Sequence, residues 1–168
     1  MPPSVSAVLI DHPKAKIKFL VCDSPTDEYI EEYKNLWLAN KVEIVFRIAG
    51  VYSTSLPLAN GIRITDEIKF EDGGVPTEAN LERWRAAVAE IENDQSRPTV
   101  AIHCIGGVGR APALVAVALV DAGVAPEDAI EFIRNRRRGS LNRKQISWIC
   151  EDLRRKKGFF SNLFKKRK

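Results

Sequence analysis

Cysteine is scarce in this 168-residue chain: Cys22, Cys104 and Cys150 are too few and too scattered for a disulfide framework. A reducing compartment, the cytoplasm, is the expectation. Histidine is scarcer still, and the two histidines and three cysteines show no metal-ligand spacing. Neither a metal nor another cofactor is expected. No stretch approaches the roughly 20 apolar residues that a membrane-spanning helix needs. Met1–Ser6 has neither the basic end nor the apolar run of a secretory leader. Internal repeats are lacking, and so is any recognisable nucleic-acid-binding module. What remains is 45% hydrophobic and 29% charged, an ordinary balance for a globular protein. The length suits one domain with a real core.

The net charge of +4 conceals a polarity along the chain. From Arg134 onward, 14 Lys and Arg face two acids, which leaves the rest of the chain at about −8. Such a split points to an anionic contact at the C-terminal end: a membrane surface, nucleic acid or an acidic partner. The division expected is a single domain over residues 1–157 and a basic tail over 158–168. The tail mixes Phe159, Phe160, Leu163 and Phe164 with Lys165-Lys166-Arg167-Lys168. A weak membrane-surface element and a solvated end are equally good readings of it. Nuclear import or nucleic-acid binding is a third, without a module to support it.

Lys16–Cys22 alternates and is rich in Ile, Phe, Leu and Val, which predicts a strand. Ser24-Pro25-Thr26-Asp27 has the cap, first-turn Pro and early acid of a helix start, with Ile30, Tyr33 and Trp37 at helical spacing behind it. Val42–Ile48 and Gly61–Thr65 predict two further strands. Glu71-Asp72-Gly73-Gly74 marks a loop, and Leu81, Trp84, Val88 and Ile91 form a helical stripe. Pro98–His103 has the composition of a buried strand. Ala113–Val120 predicts a buried helix ending at Gly123, and Pro126–Arg136 and Asn142–Lys156 predict two more. Strands alternating with helices imply an α/β fold, a mainly parallel central sheet flanked by helices.

Between the buried strand and the buried helix lies His103-Cys104-Ile105-Gly106-Gly107-Val108-Gly109-Arg110-Ala111. Backbone amides of a tight loop at a helix N-terminus can cradle a tetrahedral oxyanion. Glycines let the backbone approach it closely. Arg110, placed to close the ring, can grip two phosphate oxygens with its planar fork. The same field favours Cys104 as a thiolate at neutral pH, the form that attacks a phosphate monoester. Ile105, Gly106, Gly107, Val108, Gly109 and Arg110 are thus the expected phosphate-binding residues. The opposing reading, a core thiol and an unrelated surface charge, fits the full strand–loop–helix pattern poorly.

His-Cys, five residues and Arg is the motif of protein tyrosine and dual-specificity phosphatases. The chain more specifically resembles the phosphatase of regenerating liver family, protein tyrosine phosphatase type IVA. The likeness runs from about Lys16 to Trp148. It includes Gly109-Arg110-Ala111-Pro112, Glu127–Arg134, and Arg137-Arg138-Gly139 with Asn142 and Gln145 behind them. The resemblance implies the protein tyrosine phosphatase fold. It implies hydrolysis of phosphotyrosine, with phosphoserine and phosphothreonine as further substrates, through a phosphocysteine on Cys104. It also implies a general acid at Asp72, needed because an alkoxide or phenolate leaves badly without a proton. Glu71 is the rival. His103 takes a supporting role, orienting the cysteine loop. Ala111 stands where many such enzymes carry a hydroxyl that supports the departing thiolate, which implies slow turnover. Asn142 and Gln145 have two readings: a helix-capping box, or, for Gln145, placement of the attacking water.

Other departures from the family stand out. Ile68-Lys69 replaces the Trp-Pro pair before the acid, which weakens the expectation of loop closure. Ala49 replaces the second cysteine of the regulatory disulfide. Cys22 is a candidate substitute, but a buried structural thiol is the better reading. Relatives end in a prenylation signal, whereas Lys165–Lys168 offers no cysteine, so a lipid anchor is not expected. The uncharged Ile105–Val108 segment favours a phosphoprotein over a multiply charged lipid headgroup. Two alternatives remain: a binding protein for magnesium-transporter domains, a partner class the resemblance implies, and a rhodanese or arsenate reductase. Asp72 and the extent of the resemblance count against the last.

Overall fold

The computed structural model describes residues 5–50, 61–94 and 96–153. Among these residues five strands form one sheet: β1 (Ala7–Ile10), β2 (Lys18–Cys22), β3 (Val42–Arg47), β4 (Arg63–Thr65) and β5 (Thr99–His103). Their order is β1-β2-β5-β3-β4. Among the described residues only the β1–β2 pairing is antiparallel; β2–β5, β5–β3 and β3–β4 are parallel. The mainly parallel sheet expected from alternating elements is therefore present.

β5 lies at the centre and is buried along its whole length. Successive side chains of a strand point to opposite faces, and the core divides accordingly. Phe19, Val21, Val100 and Ile102 belong to the larger cluster, built with α2 (Glu78–Glu92), α3 (Arg110–Asp121) and α4 (Pro126–Arg136). Leu20, Cys22 and Ala101 face the other way, against Tyr33 and Trp37 of α1 (Ile30–Ala39). A sheet covered on both faces explains why β5 reads as a continuous apolar run rather than an alternating one. In α3, every residue from Arg110 to Val120 is buried, so this helix is the axis of the larger core.

Three expectations need correcting. The first helix does not begin at Ser24. Its N-cap is Tyr29, with no side-chain capping bond, and Ser24 instead gives its backbone N–H to the Ile105 carbonyl at 2.7 Å. Tertiary demand from the cysteine loop thus overrides a good local start signal. The strands expected from Lys16 and Gly61 begin later, at Lys18 and Arg63. Within the described residues the last helix, expected from Asn142 to Lys156, is α5 (Arg143–Trp148) followed by a π-helical turn over Ile149–Leu153; residues 154–156 lie outside them. The wider turn keeps Ile149 and Leu153 buried in the larger core. β1 has no counterpart among the expected strands. The tail, Gly158–Lys168, lies outside the described residues.

Candidate active site

The Cys104 loop leaves the C-terminal end of the central strand and enters the most buried helix. In an open parallel sheet this is where ligands bind. The loop's carbonyl oxygens are all held by donors. That of Cys104 lies 3.1 Å from His103 Nδ1. Ile105 O accepts from Ser24 N at 2.7 Å, and Val108 O from Leu141 N at 2.7 Å. Arg137 takes the two between, its Nε donating to Gly107 O at 2.7 Å and its Nη2 to Gly106 O at 3.0 Å. Gly109 O accepts from Ala113 N, closing the first turn of α3. In a trans peptide the N–H points opposite the C=O. Tying the carbonyls down from outside therefore directs the amides from Gly106 to Arg110 to the other side. This is the construction of an anion nest.

Two features of the backbone make the arrangement possible. Gly107 has φ +66°, and a Cβ there would lie 2.4 Å from the Cys22 carbonyl oxygen, so no side chain fits. Leu141 adopts φ 67°, rare for a branched residue, while presenting its N–H to Val108. No sequence pattern announced that second feature. The N-terminus of α3 has no side-chain cap, and Pro112 lacks an N–H altogether. The free amides of that turn are thus left for an external acceptor.

Cys104 is 3% exposed and Arg110 8%. Arg110 is held from behind: its Nη1 donates to Phe70 O at 3.3 Å, and its Nη2 lies 3.6 Å from Asp72 Oδ1. Its Nε is buried with no hydrogen-bond partner among the described residues. An orphaned guanidinium donor is costly unless an anion completes it. Asp72 sits at the tip of a tight turn, with Gly74 N donating to Glu71 O and Gly73 at φ +69°. Its carboxylate is 91% exposed and faces the cleft. Asp72, not Glu71, is among the cleft's lining residues, together with Cys104, Gly109, Asn142 and Gln145; the space holds about 210 Å3.

His103 is fully buried, and burial is the main reason its pKa falls to about 4; Arg47 adds to the fall, while the Cys104 and Ala49 backbone and Asp23 oppose it. The ring is neutral at physiological pH. A carbonyl oxygen only accepts, so the tautomer with its proton on Nδ1 completes the bond to Cys104 O. That geometry orients the loop. Ala111 is fully buried at the foot of α3 and brings no hydroxyl.

Cys22 partners His103 across the β2–β5 ladder. Burial pushes its thiol pKa up to about 12, against a smaller opposing effect of Trp37. None of the three cysteines is in a disulfide. The structural-thiol reading of Cys22 fits this setting. No group of His, Cys, Asp or Glu that could hold a metal occurs among the described residues.

Asn142 and Gln145 form the reciprocal capping box of α5: Asn142 Oδ1 accepts from Gln145 N at 2.8 Å and Gln145 Oε1 from Asn142 N at 3.0 Å. Sequence reasoning missed the reach of both side chains to the Asp72 turn and the grip of Arg137 on the loop. The only signal for either lay in their place within the family resemblance.

No family model matches the chain. It is 41% identical over 133 residues to the probable protein tyrosine phosphatase type IVA A of Dictyostelium discoideum, covering 79% of this chain and 80% of that protein. It is 35% identical over 168 residues to protein tyrosine phosphatase PRL-1 of Leishmania major, covering 92% and 95%. Among solved structures, a putative protein tyrosine phosphatase from Leishmania major superposes with TM-score 0.75 at 34% identity, covering 87% of this chain and 98% of that one. Kinase associated phosphatase, at 19% identity and TM-score 0.70 over 93% and 97% of the two chains, shares the fold. The chain belongs to the protein tyrosine phosphatase type IVA family and is a cysteine-dependent phosphatase.

Proposed function

We propose that the chain hydrolyses phosphotyrosine in protein substrates in two steps, with Cys104 as nucleophile, Arg110 and the Ile105–Gly109 loop as phosphate cradle, and Asp72 as general acid. In the first step the Cys104 sulfur forms a bond to phosphorus as the bond to the tyrosyl oxygen breaks. The Asp72 carboxyl gives its proton to that oxygen. In the second, water attacks phosphorus, its proton passes to Asp72, the S–P bond breaks and inorganic phosphate leaves. The amides and Arg110 hold the three non-bridging oxygens throughout, which places the stabilisation where charge develops. His103 and Ala111 support the loop and do not transfer protons.

The observation that carries this reading is the cradle itself, with the loop carbonyls of residues 104–109 bound outward and Arg110 Nε buried without a partner. The rim adds a preference: Ile105 is 57% exposed and Val108 41%. An apolar, uncharged rim suits a tyrosyl ring in a polypeptide better than a multiply charged headgroup. The domain that carries this chemistry spans residues 1–157. Its three cysteines in no disulfide suit the cytoplasm. No helix of the described residues is long and apolar enough to cross a membrane. The basic segment after Arg134 supports a peripheral contact with an anionic membrane surface. Membrane-transporter domains remain the partner class favoured by the family resemblance.

Incubation with a phosphotyrosyl peptide followed by rapid acid quench and mass spectrometry should find one phosphoryl group on the peptide containing Cys104. Cys104→Ser should abolish both the adduct and the turnover. Turnover that persists in Cys104→Ser would reject the mechanism.

A further inference from the structure

The turn that carries Asp72 is fastened at its C-terminal side by one short helix. Asn142 Nδ2 donates to Gly73 O at 3.0 Å, and Gln145 Nε2 donates to Gly74 O at 2.9 Å. The same two side chains cap α5 with their oxygens. Each amide is thus used at both ends, its oxygen inside the helix cap and its nitrogen on the acid turn. On the N-terminal side, Arg110 Nη1 binds Phe70 O, and Asn80 Nδ2 binds Lys69 O at 2.9 Å. Gln145 is fully buried and its bond to Gly74 is shielded from water, whereas the Asn142 bond is exposed and weaker.

We propose that Gln145, assisted by Asn142, is a positioning residue that latches the Asp72 turn over the Cys104 cradle, so that the α5 cap sets the general acid in place. The proposal rests on the assignment of Asp72 as the acid. One N–H of the Gln145 amide is spent on Gly74, and its oxygen accepts from Asn142 N. A latch on Asp72 acts wherever that carboxyl moves a proton, in the first step as well as in hydrolysis, whereas a residue that only places water acts on hydrolysis alone; an effect on kcat/KM therefore marks the latch.

This separates a latch from both a water-placing residue and a merely structural one. kcat/KM reports events up to the first irreversible step, transfer of the phosphoryl group to Cys104. The need for an acid grows with the basicity of the leaving group. The full-length protein is assayed against aryl phosphates ranging from acidic nitrophenols to phenols near the tyrosine pKa of about 10. Gln145→Met keeps the volume and the backbone N–H that Asn142 caps, but loses the donor to Gly74. It should lower kcat/KM about tenfold at the tyrosine-like end and much less at the acidic end, so that the dependence on leaving-group pKa steepens. Asn142→Ser retains a cap acceptor but cannot reach Gly73, and should change the slope in the same direction by less. In an Asp72→Asn background, Gln145→Met should steepen nothing further. Amide hydrogen exchange over residues 70–75 should quicken in both single variants, a readout independent of activity.

Three results overturn the latch. If Gln145→Met lowers only kcat, the residue places water. If it lowers kcat/KM by one factor across the series, its role is structural. If exchange over residues 70–75 is unchanged, the turn is not held by this helix. Should Asp72→Asn itself leave the slope unaltered, the acid assignment fails first and the latch with it, which marks that failure apart from the other three.

Discussion

At the scale of single residues, the buried neutral histidine beside Cys104, the proposed nucleophile, has a measurable consequence. Unfolded, His103 titrates near the ordinary value of about 6.5. Folded, burial holds it near 4. Its contribution to stability is therefore full above about pH 6.5 and is lost as pH falls from there toward about 4. At about pH 5 the loss from this one group is roughly 2 kcal/mol. Urea unfolding at about pH 7.5 and about pH 5 should show this drop. His12 is displaced in the same direction by burial, Lys14 and Arg136, so His103→Asn isolates the share of the deeper ring by flattening the difference. An undiminished pH dependence in that variant would count against the neutral His103. Ala111 gives a second test. A serine hydroxyl there could support the departing Cys104 sulfur, and a missing donor of this kind costs on the order of a hundredfold. Stopped-flow assay of Ala111→Ser should show faster steady-state turnover and a smaller burst; unchanged turnover would reject slow phosphocysteine release. Both residues were legible because each lies within two positions of a motif whose chemistry fixes its neighbours. The left-handed Leu141 was not, since nothing about a leucine signals that its N–H is needed by a carbonyl 33 residues away.

At the scale of elements, helices were easier to foresee than the contacts between them. The Pro126–Arg136 helix matches its expected bounds because Pro at the start and basic residues at the end are local signals. The Ser24 start failed because the cue it carries, a polar residue before an apolar stripe, is the same whether its backbone caps a helix or braces a loop. Arg137 illustrates the limit on the site side. It is the first residue after α4, one basic residue among several in the run from Arg134 to Arg138. Only the packing of α4 against the sheet singles it out as the donor to two adjacent loop carbonyls. Arg137→Met should release Gly106 and Gly107 and let their peptide planes turn, weakening the nest for any oxyanion. We expect kcat/KM to fall about tenfold or more for all aryl phosphates alike, and inhibition by inorganic phosphate to weaken in parallel. A loss confined to basic leaving groups would instead connect Arg137 to the acid turn. The Ile68-Lys69 departure also finds its physical answer here. Ile68 is buried and Lys69 O is bound by Asn80, so the segment is anchored without an aromatic residue at that place.

At the scale of the molecule, the parallel core of the sheet brings separate parts of the chain to one end. β2 leads to Ser24, which binds Ile105; β3 leads to Ile48, whose N–H binds His103 O; β5 leads to Cys104 itself. That convergence follows from parallel pairing, which was legible, whereas the antiparallel β1 was not, being four residues without strict alternation. Charge is arranged on a larger scale still. The excess of Lys and Arg begins at Arg134, in the last turn of the helix that precedes Arg137, and continues to Lys168. The proposed phosphate cradle and the basic segment are thus joined through one run of chain. Attraction to an anionic lipid surface is worth about 1 kcal/mol for each basic residue near it and fades within a Debye length. Replacing Lys165, Lys166, Arg167 and Lys168 by Gln removes four of 26 basic residues and takes the net charge from +4 to 0. Sedimentation with phosphatidylserine-containing vesicles should then show a loss of affinity of a hundredfold or more, at a partition that raised salt reduces in the parent protein. Phosphatidylcholine vesicles should bind neither form. Activity toward a soluble phosphotyrosyl peptide should be the same in both, because the cradle's charges, Arg110 and the loop amides, are unchanged. Binding to anionic vesicles that survives the substitution would move the contact from the tail to the basic residues of α4 and α5.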